Sequence, residues 1–139
     1  MTKKKKGLRL EITGGENKGI SPDWWGEIYL YKDGRKIGNA GFTINEFQIT
    51  VDTLKVKEDD QKQGYGRLIM ETIKSIAIFK NLPVVLYSAM SAEKFYLKIG
   101  FKKCKDYENI KDISGSTSDL DMIWLPKKIV KKERIVIAT

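Results

Sequence analysis

The chain has 139 residues, 41% of them apolar, with 26 Lys and Arg against 18 Asp and Glu for a formal charge of +8. That length fits one domain with one core, and the composition is that of a folded protein. A single cysteine, Cys104, and no His exclude an internal disulfide, zinc sites of the usual Cys/His type, and every Ser-His-Asp or Cys-His mechanism.

No apolar run approaches the roughly 20 residues that span a bilayer. The basic start MTKKKKG has no apolar segment behind it, so a soluble, cytoplasmic domain without a secretory signal or membrane partner is expected. Charge gathers in a tail over residues 1–6 and an extension over 127–139. Solubilising ends explain this as well as an anionic partner does, and nucleic acid is not the expected partner.

LRLEIT (8–13) reads as a short strand, and GGENKGISPDWWG (14–26), dense in Gly, Asn, Ser and Pro, as a loop. Strands over 27–31 and 35–44 form a hairpin around Asp33-Gly34. A further strand covers 47–56, where Ile49, Val51 and Thr53 alternate with Thr50, Asp52 and Leu54. The period then changes: Leu68, Ile69, Thr72, Ile73, Ile76 and Ala77 recur at helical spacing, and Asn81 and Pro83 stop the helix near Lys80. The run PVVLYSA (83–89) reads as a buried strand. A second helix is capped by Ser91, lines Ala92, Phe95, Tyr96 and Ile99 along one face and ends at Gly100. Strands over 101–107 and 120–125 flank a polar loop, and RIVIA (134–138) is left open as strand or tail. The order is β-β-β-β-α-β-α-β-β.

Between the fourth strand and the first helix stands Gln61-Lys62-Gln63-Gly64-Tyr65-Gly66-Arg67. It is not a P-loop, because Arg67-Leu68 replaces Lys-Ser/Thr, and not a dinucleotide fingerprint, because position 69 is Ile. An ordinary glycine turn and a backbone cradle for phosphates are level on these residues alone. Missing Cβ atoms let a ligand approach the backbone, and free N–H groups at a helix start attract anions.

The order of TLKVKEDDQKQGYGRLIMETI, VVLYSAM and SAEKFYLKIGFKK resembles the GCN5-related N-acetyltransferase superfamily, over roughly residues 36–125. The resemblance implies an α+β fold (an α/β sandwich): a mixed, largely antiparallel sheet of six to seven strands flanked by helices, in one domain over 1–139. It implies acetyl-CoA as cofactor, its pyrophosphate on the backbone of Gln61, Lys62, Gln63, Gly64, Tyr65, Gly66 and Arg67. Leu54, Lys55 and Val56 would flank the pantetheine arm, and Tyr96 matches the tyrosine that in many members protonates the departing thiolate. Tyr96 also fits a core aromatic at helical spacing. Two departures stand out: Ala89 replaces an Asn common in the family, and residues 14–25 are too few for the usual pair of helices between the first two strands.

A site without those helices is open and suits a protein surface, so the expected partners are acetyl-CoA and an amine acceptor, a protein lysine first; a homodimer is left open. Asp52 is the candidate base or, equally, a solvated strand residue, with Glu46 a poorer choice. The alternatives are a small-amine acetyltransferase and a non-catalytic CoA-binding or basic docking module of the same fold. A shorter, less specific resemblance, in VDTLKV, QGYG, LP and LY, is to compact anti-CRISPR acetyltransferases of phages and mobile elements.

Overall fold

The structure is a computed structural model that describes residues 7–19, 24–106 and 121–127. Among the described residues, seven strands form one sheet in the order β1-β2-β3-β4-β5-β7-β6. They are β1 (Leu8–Glu16), β2 (Trp24–Lys32), β3 (Arg35–Ile44), β4 (Ile49–Val56), β5 (Val84–Tyr87), β6 (Lys102–Lys103) and β7 (Asp121–Trp124). Two helices, α1 (Tyr65–Lys80) and α2 (Glu93–Lys98), complete the predicted order. All strand pairs are antiparallel except β4 with β5.

Residue chemistry accounts for the joints. Asp33 and Gly34 both have positive φ (51° and 79°), the two-residue turn that matches strand twist. Between β3 and β4 the Asn45 side-chain oxygen accepts from the amides of Phe47 and Gln48 at 2.7 and 2.9 Å. That turn holds residues 47 and 48, so β4 starts at Ile49, two residues later than alternation predicts. Asn81, at φ 57°, ends α1 in a left-handed cap, as its stop signal implies.

Four expectations are corrected. Gly14, Gly15 and Glu16 belong to β1, and Trp24, Trp25 and Gly26 to β2, because they pair across as Gly14 with Gly26, Gly15 with Trp25 and Glu16 with Trp24. A Cβ on Gly14 would lie 2.2 Å from the Trp24 ring, so glycine there makes room rather than a turn. The α2 cap falls on Ala92 with no side-chain hydrogen bond, since Ser91 is taken into a 3-10 turn over Met90–Ala92. β6 spans only Lys102–Lys103 before another 3-10 turn over Cys104–Asp106. Residue 107, the loop beyond it, residue 120, the RIVIA segment and the basic tail over 1–6 lie outside the described residues, as does all but Lys127 of the C-terminal extension.

The core lies between one sheet face and α1. Ile69, Met70, Ile73 and Ala77 are buried at helical spacing against Ile28, Leu30, Ala40, Phe42, Ile49 and Val84. Neither helix is long and apolar enough to cross a membrane.

Candidate functional site

The site begins where β4 and β5 part company. Their parallel pairing covers three residue pairs, Ile49↔Val84 to Val51↔Leu86. β4 then shifts register against β3, with Gly41 opposite Thr53 and Phe42 opposite Val51, so Asp52 is the extra residue of a β-bulge. The bulge inverts the alternation. Ile49 and Val51 face the core before it, and Leu54 and Val56 pack against the core after it. Asp52 therefore does not share parity with Leu54 and Val56, as simple alternation implies. Beyond Val51 the β5-facing edge of β4 has no strand partner among the described residues.

The glycine segment follows β4 through a 3-10 turn over Glu58–Asp60. Lys62 and Gly64 have φ of 64° and 83°, so left-handed residues recur within the loop, a conformation that turns amides toward a common concavity. Gly64 is the α1 N-cap and carries no side chain to occupy the helix end; the first turn has no acidic residue. The first helical bond runs from the Leu68 amide to the Gly64 carbonyl. The preceding amides are thus those a helix start leaves free for an anion.

The two glycines do different work. A Cβ on Gly64 would meet nothing within 4 Å, so its demand is the positive φ. A Cβ on Gly66 would lie 3.2 Å from the Phe95 ring and 3.8 Å from Val56, so glycine there lets α2 pack against the start of α1. Gln61 donates its side-chain amide to the Val56 carbonyl at 3.0 Å, tying the loop back to β4. Arg35 ties it from the other side through Asp60, at 3.2 Å.

A cavity of about 560 Å³ lies along this loop. Of the expected cofactor residues, Leu54, Val56, Gln61, Lys62, Gly64, Tyr65, Gly66, Arg67 and Tyr96 line it. Gln63 and Lys55 are not among its lining residues, and the Lys55 side chain faces the opposite side of the sheet. Ala92, Phe95 and Ile99 join the lining and were legible as the helical face of Tyr96; Asp60 and Lys98 carried no such signal. The positive φ at Gly64, the uncapped helix start and the cations Lys62, Arg67 and Lys98 fit a pyrophosphate-bearing ligand such as CoA.

Tyr96 stands where this cavity meets a second one of about 280 Å³. The two share Leu54, Ala92 and Tyr96, and the second adds Asp52, Tyr87 and Ala89. The Tyr96 ring is held edge-on by Phe95 and Phe101, with centroids at 5.1 and 5.7 Å. Burial pushes its phenol above the ordinary tyrosine value. Desolvation likewise raises the Asp52 carboxyl, although the residue keeps a solvent-exposed side. Glu46 lies at the other end of the sheet, in a cavity of about 960 Å³ with Ile12, Trp24, Ile44 and Ile76. It is remote from Tyr96 and is set aside as a base.

The α2 helix is fastened from behind. Lys74, buried on α1, donates to the Ile99 carbonyl and approaches Glu71 at 3.4 Å. Its ammonium also lies 5.3 Å from the Trp124 ring centroid. A cation on the last carbonyls of a helix is favourable. Gly100, at φ 100°, completes this junction; a Cβ there would only touch Trp124 and Lys74 at 3.6–3.8 Å, so its demand is the positive φ.

The acetyltransferase (GNAT) domain model matches residues 24–103. An uncharacterized N-acetyltransferase of Oceanobacillus iheyensis is 28% identical over 92 residues, covering 66% of this chain and 52% of that protein. The chain thus spans about half the length of that curated relative. Among solved structures, Tetrahymena GCN5 superposes with a TM-score of 0.61 at 21% identity, over 73% of this chain and 68% of that one. The PaiA N-acetyltransferase of Thermoplasma acidophilum, solved with coenzyme A, gives 0.54 at 21% identity, over 70% and 57%. The anti-CRISPR protein AcrVA5 gives 0.51 at 22% identity, over 63% and 90%. These likenesses establish a shared fold.

Proposed function

The chain belongs to the acetyltransferase (GNAT) domain family, and on that premise we propose that it transfers the acetyl group of acetyl-CoA to a primary amine, with a protein lysine as acceptor, in the cytoplasm. The observation that carries this reading is the meeting of two cavities at Tyr96, one along an uncapped helix start and one open to solvent beside Asp52.

Acetyl-CoA supplies an acyl group activated as a thioester. The loop from Gln61 to Arg67 holds its diphosphate by backbone amides and by the charges of Lys62 and Arg67. The edge of β4 at Leu54 and Val56 has no strand partner and, apart from the Val56 carbonyl that Gln61 holds, offers backbone groups to the extended arm; an amide there stabilises the developing oxyanion. A lysine ammonium must lose a proton before attack, which costs roughly 4–5 kcal/mol at pH 7. Asp52 takes that proton, directly or through water, and its raised affinity for protons suits the task. The new N–C bond forms as the C–S bond breaks. Tyr96 donates a hydrogen bond to the departing sulfur as negative charge develops there, and the second amine proton passes to that sulfur, directly or through water. The thiol leaves neutral and the acetamide is released.

A protein acceptor is supported by the brevity of the β1–β2 connection, whose seven residues from 17 to 23 are too few for a helical pair that would wall the acceptor side. The test is thermal stability with acetyl-CoA, then thiol release with lysine peptides. Acetyl-CoA at about 100 times its Kd adds about 2.7 kcal/mol. At about 2–4 °C per kcal/mol for a chain of this size, the melting temperature rises by about 5–11 °C. No shift and no thiol release would sink the proposal.

A further inference from the structure

Resting on the acetyl-transfer reading, we infer that the acceptor lysine is presented in an acidic segment of a protein, with carboxylates about three residues from it. The observation is a second, cationic trough beside the acceptor cavity. Tyr29, Asn39 and Lys55 are register partners across β2, β3 and β4, on the sheet face opposite Ile28, Ala40 and Leu54. At the end of the β3–β4 ladder a concavity of about 250 Å³ is lined by Lys36, Asn39, Lys55 and Lys57 together with Ile37, Gly38 and Val56, and no carboxylate lines it. Lys55 lines both this trough and the cavity containing Asp52 and Tyr96.

Among the described residues, none of the three lysines forms an ion pair. Lys36 lies over the Tyr29 ring, 5.3 Å from its centroid, which holds its charge on this face. Arg35, by contrast, is spent on Asp60, and Glu58 and Asp59 follow Lys57 onto the turn beside the cradle. The trough's charge is therefore available to a partner, while Lys62, Arg67 and Lys98 stand at the cofactor cavity. Lys55 is three residues from Asp52 along β4, about 10 Å at 3.3 Å per residue. A lysine entering beside Asp52 in an extended peptide thus places its third neighbour at Lys55, and the next ones at Lys36 and Lys57. The net charge of +8 attracts the same partner from a distance.

The experiment uses the full chain, acetyl-CoA and three peptides with one central lysine, flanked at the third and fourth positions by Asp, Ser or Arg. Thiol release gives kcat/KM, and anisotropy of labelled peptides gives affinity independently of turnover. The acidic peptide is expected to exceed the Ser peptide by about 5–30-fold at low salt. The advantage fades at 1 M salt, where the screening length is about 3 Å. The double variant Lys36→Glu/Lys57→Glu abolishes the preference and leaves turnover of the Ser peptide unchanged. Equal values for the three peptides, or preference for Arg, overturn the inference. So does a single-stranded oligonucleotide that binds more tightly than the acidic peptide and loses binding in the double variant. Acidic peptide that docks through the lysines with no turnover of any peptide overturns the transfer reading and leaves the docking surface standing.

Discussion

Replacing Tyr96 by Phe removes one oxygen and leaves the ring packed between Phe95 and Phe101. The phenol is already raised above its ordinary value of about 10 by burial. An alkyl thiol is ordinarily more acidic than a phenol and burial widens the gap, so complete proton transfer from Tyr96 to the thiolate is uphill. Tyr96 therefore acts mainly as a hydrogen-bond donor to sulfur as charge develops there. A hydrogen bond to a charged group contributes about 1.5–3 kcal/mol, which corresponds to roughly 10–150-fold in kcat. Because burial keeps the proton on, Tyr96 itself produces no alkaline decline in rate below about pH 10. The assay is thiol release at saturating acetyl-CoA with a lysine peptide, for wild type and Tyr96→Phe. The KM for acetyl-CoA and the melting temperature are expected to stay close to wild type. A variant within twofold of wild type would refute the acid role, and a rate loss matched by a large drop in melting temperature would make Tyr96 a packing residue.

Gly64→Ala and Gly34→Ala each place a side chain at positive φ with nothing within 4 Å, so both should lose about 1–2 kcal/mol of stability in denaturant titration. Only Gly64→Ala should raise the KM for acetyl-CoA, by at least about tenfold; equal effects on KM would remove the cradle. Lys74→Met leaves the Ile99 carbonyl unpaired but spares a buried ammonium, for a net loss of about 1–2 kcal/mol or roughly 2–8 °C in melting temperature. An unchanged melting temperature would mean that the junction behind α2 holds without it. Asp52→Asn should remove the acid limb of the kcat/KM profile, which wild type shows as pH falls through the raised carboxyl value. The sign for stability is opposite to that of a paired carboxylate. The native state binds the proton more tightly than the unfolded chain, so ionised Asp52 destabilises, and the Asn variant should melt higher at pH 7 with the gain vanishing below about pH 4. A wild-type acid limb retained in Asp52→Asn would assign the base elsewhere.

Periodicity made the element order legible, because α1 has a helical stripe from Leu68 to Ala77 and β5 an apolar run, and each pattern survives in the burial. It failed where spacing carried two meanings. Gly14 and Gly15 look like loop residues, yet they lie in a strand and make room for tryptophan rings, which only the partner strand reveals. The Asp52 bulge is equally silent, since one inserted residue changes no residue type but reverses every side chain after it. The Gln61–Arg67 segment was legible as a candidate cradle, whereas Asp60 and Lys98 reach the same cavity only through tertiary packing. Gly66 was legible as a motif position but not as a seat for Phe95.

The three-residue register between β4 and β5 carries a consequence for how the molecule assembles. β1 to β4 form a meander whose partners are close in sequence, the kind of contact that forms early. The rest must travel through α1 before it returns to β4, and it closes there on Ile49, Thr50 and Val51. One wall of the Tyr96 cavity, Leu54 and Val56, belongs to the meander, and the other, Phe95 and Tyr96, to the returning half. A ligand in that cavity spans the seam between them and acts as a staple. Its binding should slow amide exchange in β5 and α2, well beyond the atoms it touches.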